Sequence, residues 1–204
     1  GQAFLFSPGN FGSFFLQCEL KKSGKQGVLA AELSGNLWAC RSHAPGEVLV
    51  ARPLGRTMKT AALPACDTQK VIDIFNGVLP LAAGRHVLEV SLNSPNVVSH
   101  VAGAVLNAVE IERRGKDFAF FVHGMGESTL KCFAALEKER NAVMGKLGME
   151  VYSPSCEGFM RMLMDRDSHP ELDYFRNLDG PSDFSHRYVS EDAACGMAML
   201  VSLG

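Results

Sequence analysis

The sequence lacks the features that mark several classes of protein. It contains no Cys-x-x-Cys pair, and its cysteines lie far apart, at Cys18, Cys40, Cys66, Cys132, Cys156 and Cys195. Scattered cysteines are typical of a reduced protein rather than of a disulfide framework. No apolar run approaches the roughly 18 residues of a membrane span, and no charged and then apolar leader opens the sequence. These absences predict a soluble cytoplasmic protein.

An excess of charge of one sign is also missing. The 204 residues include 20 basic and 22 acidic side chains, for a formal net charge of -2, and the basic residues form no run. Proteins that bind nucleic acid or anionic membranes usually carry a basic patch, so neither partner is expected. Cys40 and His43 have the spacing of half a metal site, but no second pair follows, and no metal is expected either.

The first half alternates strand and helix patterns. Buried strands are predicted at two apolar runs, residues 3–6 and 27–33. Between them lie a glycine-containing loop at 7–13 and a segment with helical spacing. Such a loop can present backbone N–H groups to an anion or to the polar end of a cofactor, but many turns use Gly and Asn for geometry alone. Further strands are predicted at 46–51 and 57–63.

Three more features complete this α/β layer. Pro53-Leu54-Gly55 lies between the last two predicted strands and indicates an antiparallel hairpin, while the other strands are expected to be mostly parallel at the start of the layer. Residues 67–75 have the pattern of an amphipathic helix with Asp67 as its N-cap. Residues 87–90 are read as a short β-branched strand.

After His100 the strand signal nearly vanishes and helical periodicity dominates. Helices are predicted over residues 96–112, 128–147, 155–164 and 170–176. The fold class is therefore α/β followed by all-α, with one domain at 1–92 and a helical domain at 93–204. Residues 93–100 would then lie where the two layers meet, and ligand sites favour such positions.

The best catalytic candidates in this segment are Asn96 and His100. They stand four residues apart and thus on one helical face, where an amide and an imidazole can orient a carbonyl and move its proton. A helix cap beside a buried imidazole is the alternative. Residues 183–192 offer a carboxylate that can orient His100 and a guanidinium that can hold a substrate carboxylate, unless they form a solvated surface.

Several short motifs, taken together, resemble one enzyme family. They are Ala39-Cys40-Arg41, Ser91-Leu92-Asn93 with Asn96 and His100, Leu106-Asn107-Ala108 with Ile111-Glu112, Arg187-Tyr188-x-x-Glu191-Asp192, and the turn Ser7-Pro8-Gly9, which is similar to the family's Asn-Pro-Gly. In this order they resemble the octopine/nopaline (opine) dehydrogenases. The resemblance implies the second part of a Rossmann-type domain followed by a helical C-terminal domain.

The resemblance also implies an activity and residue roles. These enzymes use NADH or NADPH to condense the amino group of an amino acid reductively with a 2-keto acid. His100 would be the general acid/base, Asp192 would orient it, and Asn96 would position the reacting carbonyl or carboxylate. Arg187 would clamp a substrate carboxylate or support the acidic segment, and the NAD- or NADP-binding contacts would include Pro8 and Gly9 of the Ser7-Pro8-Gly9 turn. A homodimer is a further expectation.

The sequence lacks one part of the family's dinucleotide-binding domain. The family's first strand and Gly-rich turn are absent, so about a hundred residues of the dinucleotide-binding half are expected to precede Gly1, and the fragment alone is expected to be inactive. Two competing interpretations stay open. One is a non-catalytic helical domain that dimerises, and the other is a related NAD(P)-dependent reductase of a simple 2-keto acid.

Overall fold

The fold is taken from a computed structural model that describes residues 2–6, 10–52, 57–176 and 178–204. The strands are β1 (Gln2–Phe6), β2 (Val28–Leu33), β3 (Ala39–Ala44), β4 (Glu47–Arg52), β5 (Met58–Ala62) and β6 (Leu81–Ala83). The α-helices are α1 (Gly12–Lys22), α2 (Thr68–Phe75), α3 (Val87–Leu92), α4 (Asn96–Leu106), α5 (Ala108–Arg114), α6 (Phe120–His123), α7 (Glu127–Lys146), α8 (Cys156–Met164), α9 (Asp173–Arg176), α10 (Arg187–Ser190) and α11 (Ala198–Leu203).

The chain divides into two compact units. The first comprises Gly1–Leu37, Gly55–Ser94 and Met144–Ser153. Its sheet has the strand order β1-β2-β5-β6, in which β1 is parallel to β2, β2 is antiparallel to β5, and β5 is parallel to β6. Buried alanines in β2 and β5 let helices pack closely on this sheet, as where Ala31 and Ala62 meet Val71 of α2.

Asn93 ties the end of α3 to a later segment of the same unit. Its amide nitrogen donates to the carbonyls of Glu89 and Glu150, at 2.9 Å each. Its amide oxygen accepts from the backbone N–H groups of Tyr152 at 2.9 Å and Ser153 at 3.0 Å. Asn93 is 1% exposed, so these four bonds satisfy an amide that water cannot reach.

The second unit comprises Trp38–Leu54, Pro95–Val143 and Pro154–Gly204. Apart from the antiparallel hairpin of β3 and β4, its described residues are helical or irregular. Its core contains Val98 and Ala104 of α4, which pack with Phe120, Phe133 and other buried apolar side chains. The observed order of elements confirms the predicted class, α/β followed by all-α. The boundary between 92 and 93 stays a prediction.

Two local predictions are wrong. Residues 87–90 form the start of helix α3, because Val87 and Val90 share a buried face at helical spacing and the side chain of His86 caps the helix by accepting from the Glu89 N–H. This tertiary packing overrides a β-branched preference that is weak by itself. The antiparallel partner of β4 is β3, and β5 pairs with β2 and β6 instead. Pro53-Leu54-Gly55 lies outside the described residues.

Strand β6 was not predicted, because three residues are too short for a periodic signal. None of the helices in the described part of the chain combines the length and apolar character needed to cross a bilayer.

Candidate active site

Helix α4 carries the two polar side chains that the spacing singled out. It begins at Asn96, directly after Pro95, whose fixed φ suits the start of a helix. Asn96 is 7% exposed and His100 is 6% exposed, so both residues are buried rather than solvated. A buried imidazole needs a hydrogen-bonding partner, and this partner defines the site.

That partner is Asp192. His100 Nδ1 lies 2.8 Å from Asp192 Oδ2, although the two residues are 92 positions apart. The Asp192 side chain is 1% exposed. A carboxylate at this distance holds the imidazole proton on Nδ1, which makes Nε2 the nitrogen that takes up and releases a proton. The pair therefore has the geometry of a His-carboxylate dyad.

A π-helix places the carboxylate of the dyad. The chain leaves α10, turns at Glu191 and enters a π-helix over Asp192–Met197, with Asp192 as its first residue. Short π-helical insertions are rare and often occur at functional sites, because the wider turn re-aims one side chain. Periodicity analysis assumes 3.6 residues per turn and does not detect such a feature.

Two aromatic rings enclose the imidazole. The Tyr188 ring stacks on the His100 ring with a centroid distance of 3.5 Å and an interplanar angle of 16°. The Phe120 ring stands at 87° to the imidazole, with a centroid distance of 6.2 Å. Neither ring was predicted to be part of the site. The available signal for Tyr188 was its place in the Arg187-Tyr188 pair, four residues before Asp192.

The remaining predicted site residues have different surroundings. Arg187 is exposed, and its guanidinium carbon lies 6.0 Å from the centroid of the Tyr188 ring. This places a cation beside the aromatic neighbour of His100. Pro8 and Gly9 lie outside the described residues. The structure thus brings His100 and Asp192 together, and the catalytic roles of all these residues stay predictions.

The start of α1, which follows strand β1 in the first unit, can be compared with a phosphate-binding turn. There the N–H of Ser13 donates to Glu32 Oε1 at 2.8 Å, and the Glu32 side chain is fully buried. A helix start binds a diphosphate through unengaged N–H groups in a region that favours negative charge. The start of α1 offers an engaged N–H and a carboxyl group instead, so it does not fit a diphosphate.

A buried cysteine, Cys156, lies in the core of the second unit. The Cys156 thiol is buried, and burial, followed by the charge of Glu137, raises its pKa to about 12, so it is a poor nucleophile at neutral pH. Within the described residues, no group of three or more His, Cys, Asp or Glu side chains could hold a metal ion.

Comparison with known proteins identifies the family of the segment that carries these residues. Residues 83–204 match the alpha-helical domain of the NAD/NADP octopine/nopaline dehydrogenases, which is more than half of the chain. The chain belongs to this family. The segment matched includes α4, the dyad and the π-helix.

Individual relatives extend the similarity to the first unit. An opine dehydrogenase from Arthrobacter sp. (strain 1C) is 29% identical over 214 residues, which cover 100% of this chain and 58% of that protein. The chain thus spans somewhat more than half the length of this relative. An octopine dehydrogenase solved with NADH and pyruvate has 18% identity and a TM-score of 0.61 over 98% of this chain and 56% of its own.

A third relative shows that the fold alone leaves several activities open. A ketopantoate reductase from Ralstonia eutropha JMP134 has 17% identity and a TM-score of 0.54, over 99% of this chain and 59% of its own. At these identities the solved structures establish the fold, which is the latter part of a Rossmann-type domain followed by a helical domain. They do not establish the substrate.

Proposed function

We propose that this chain is the catalytic part of an NAD(P)H-dependent opine dehydrogenase, which condenses the amino group of an amino acid reductively with a 2-keto acid. Family membership supports the reaction class, and the buried pair of His100 and Asp192 is the observation that carries the proposal. The overall reaction joins the amine nitrogen to the keto carbon, releases the keto oxygen as water and adds a hydride to that carbon. The activity of the whole protein is part of this proposal.

His100 would move the protons of this reaction. With Nδ1 held by Asp192, Nε2 in its protonated form gives a proton to the keto oxygen as the amine adds, and a second proton given in the same way releases this oxygen as water. The same nitrogen in its neutral form accepts a proton from the attacking amine. Asp192 holds the tautomer and stabilises the imidazolium, as a carboxylate does in other His-carboxylate pairs.

Asn96 and Arg187 would place the substrates. Asn96 lies one helical turn before His100. Its amide can therefore donate a hydrogen bond to the carbonyl that His100 protonates, or to the carboxylate of the same substrate. Arg187 is exposed and keeps its guanidinium near Tyr188, and a guanidinium binds a carboxylate with two parallel hydrogen bonds. Both expected substrates carry a carboxylate, which agrees with a cation at this position.

The nicotinamide cofactor would supply the hydride. Because the start of α1 does not fit a diphosphate, we infer that this group of NAD or NADP is bound elsewhere in the protein. The predicted contacts of Pro8 and Gly9 with the cofactor stay a prediction. The other steps depend only on His100, Asp192, Asn96 and Arg187.

The test is an NAD(P)H-oxidation assay on the product of the complete reading frame that contains these residues, with pyruvate and a panel of amino acids. Turnover that needs both substrates, and that falls at least about a thousandfold in His100→Ala, is the expected result. His169→Ala is the matched control, because this imidazole is paired with Glu171 on the surface and should leave turnover unchanged.

The alternatives give different outcomes in the same assay. Turnover with the keto acid alone would indicate a simple 2-keto-acid reductase, the reading that the likeness to ketopantoate reductase favours. The absence of turnover with both cofactors and all substrate pairs would contradict the proposal. A concentration-dependent dimer in light scattering would then support the helical interaction domain.

A further inference from the structure

The face of the His100 ring is covered as well as its edge. Tyr188 is 1% exposed and stacks on the imidazole at 3.5 Å, closer than any other pair of rings in the described part of the chain. Phe120 stands edge-on to both of these rings, at 6.2 Å from the imidazole and 5.2 Å from the phenol ring. These contacts connect α4, α6 and α10 around one imidazole.

We propose that Tyr188 is a positioning residue for His100: its ring fixes the plane of the imidazole and favours the imidazolium over the neutral form. The proposal deepens the proposed function, on which its catalytic consequence rests. Tyr188 acts through His100 and needs no contact with substrate. Its effect on the imidazole is a property of the protein that can be measured without turnover.

The hydrogen bond to Asp192 does not by itself determine where Nε2 points. The last torsion of a histidine side chain has a broad preference, and a ring held at Nδ1 can still tilt about the Nδ1···Oδ2 axis. The stacked phenol ring, at an interplanar angle of 16°, restricts this tilt. The hydrogen bond to Asp192 at the edge of the imidazole and the Tyr188 ring at its face together leave one orientation of the His100 ring. The direction of Nε2 is thereby fixed.

The second part of the proposal concerns charge. The face of an aromatic ring is negative, so a cation stacked on it is stabilised relative to the neutral form. Tyr188 and Asp192 therefore act in the same direction, from the face and from the edge of the imidazole. Both favour the form of His100 that donates a proton to the keto oxygen.

Other titratable groups must be kept constant in a test. Five further charged or titratable side chains lie on the turns that carry the neighbours of His100. They are Glu191, Cys195, His186, Arg187 and His123. The Arg187 guanidinium opposes the imidazolium, whereas Glu191 favours it, and His186 lies 4.7 Å from the Tyr188 ring. A change confined to the ring at position 188 leaves all of these groups in place.

The experiment compares three rings of the same shape at position 188 with one aliphatic side chain. Tyr188→Phe keeps the stack, a variant with 4-cyanophenylalanine at this position keeps the shape but has an electron-poor face, and Tyr188→Leu removes the ring. Long-range proton–nitrogen NMR of histidine-labelled protein from the complete reading frame reports the tautomer and the titration midpoint of each imidazole. A His100→Gln variant identifies the resonances of His100.

We expect the midpoint of the His100 titration in Tyr188→Phe to equal that of wild type. It should fall by roughly half a pH unit to one unit in Tyr188→Leu and in the cyano variant. Tyr174→Leu, at an exposed tyrosine, should change neither midpoint nor tautomer. An unchanged midpoint and tautomer in the cyano variant would overturn the proposal, even if Tyr188→Leu failed to fold.

Kinetics separate this proposal from the proposed function. Tyr188→Leu should lower kcat by about 10- to 100-fold with KM changed less than about twofold, and Tyr188→Phe should restore kcat. If wild type shows no turnover but the midpoint shifts as expected, the proposed function fails and the positioning role stands. If wild type turns over and the midpoint does not shift, the positioning role fails alone.

Discussion

Gly103 of α4 packs closely against the ring of Phe120. A Cβ atom added to Gly103 would come within 2.7 Å of Phe120 Cε2 and 3.3 Å of Phe133 Cζ. Real Cβ atoms do not approach other carbons that closely, so a side chain here would displace the Phe120 ring. Because Phe120 also stands edge-on to His100, this glycine links the packing of the helical unit to the dyad.

Gly103→Ala should therefore destabilise the protein, despite the better helix propensity of alanine. Overpacking of a tight site costs about 1–3 kcal/mol, so a net loss of up to about 2 kcal/mol is left after the roughly 1 kcal/mol gained in propensity. Urea unfolding measures the difference. Gly145→Ala in α7 is the control, because a Cβ there has nothing within 4 Å, and it should stabilise by up to about 1 kcal/mol. Equal effects of the two substitutions would refute the packing argument.

Asp192→Asn should impair turnover while preserving the fold. The amide has the volume of the carboxylate but no charge, so the tautomer of His100 that places its proton on Nδ1 loses its preference. Under the proposed function, we expect kcat to fall by about 10²- to 10⁴-fold, with KM nearly unchanged. Steady-state kinetics and the histidine NMR spectrum together check this. Wild-type turnover in this variant would rule out a role for Asp192 in proton transfer.

The sequence predicts the local structure around the candidate site better than it predicts the contacts of the side chains there. Helical spacing placed Asn96 and His100 on one face of a helix, and the structure confirms the start of this helix at Asn96. The single helix predicted over residues 96–112 is divided at Asn107 into α4 and α5. The contact between His100 and Asp192 spans 92 positions. The residue pattern placed a carboxylate for His100 somewhere within residues 183–192, and the family resemblance singled out Asp192. The stack of Tyr188 depends on how α10 enters the π-helix, which is a tertiary feature without a sequence period.

The same contrast holds in the first unit. The apolar runs predicted β1 and β2 correctly, because a continuous apolar stretch between turn residues has few other uses. Residues 87–90 were misread as a strand, since their β-branched side chains are buried by the sheet on which helix α3 packs. The preference of β-branched residues for strands contributes little free energy, and packing against a sheet contributes more.

Asn93→Ala should cost about 2–4 kcal/mol of unfolding free energy, because it removes four side-chain hydrogen bonds to backbone groups near Glu89 and Tyr152. Asn93→Asp keeps the acceptor but loses both donated bonds and should also be destabilising. Chemical denaturation measures both variants. Asn76→Ala, at an exposed helix end, should change stability by less than about 0.5 kcal/mol. A loss below 1 kcal/mol in Asn93→Ala would show that water replaces these bonds.

Glu32 should make the stability of the protein depend on pH. Its carboxyl group is fully buried, and desolvation raises its pKa above the ordinary value of 4.5, against the opposing effect of hydrogen bonds from Ser13. Between 4.5 and the raised pKa, the folded protein keeps a proton that the unfolded chain releases. The folded state then binds more protons, so this contribution to stability is complete below pH 4.5 and is lost as the pH rises through the folded pKa.

Glu32→Gln removes this dependence, because the amide is neutral at every pH and its oxygen can still accept from the Ser13 N–H. We expect the stability of Glu32→Gln relative to wild type to increase with pH above 4.5 and then to level off once Glu32 is ionised in both states. Urea unfolding at a series of pH values measures this difference. Glu19→Gln, at an exposed position of α1, should show no such trend. A flat difference for Glu32→Gln would mean that Glu32 ionises at the same pH in the folded and unfolded protein, and that Ser13 and its surroundings compensate fully for its burial.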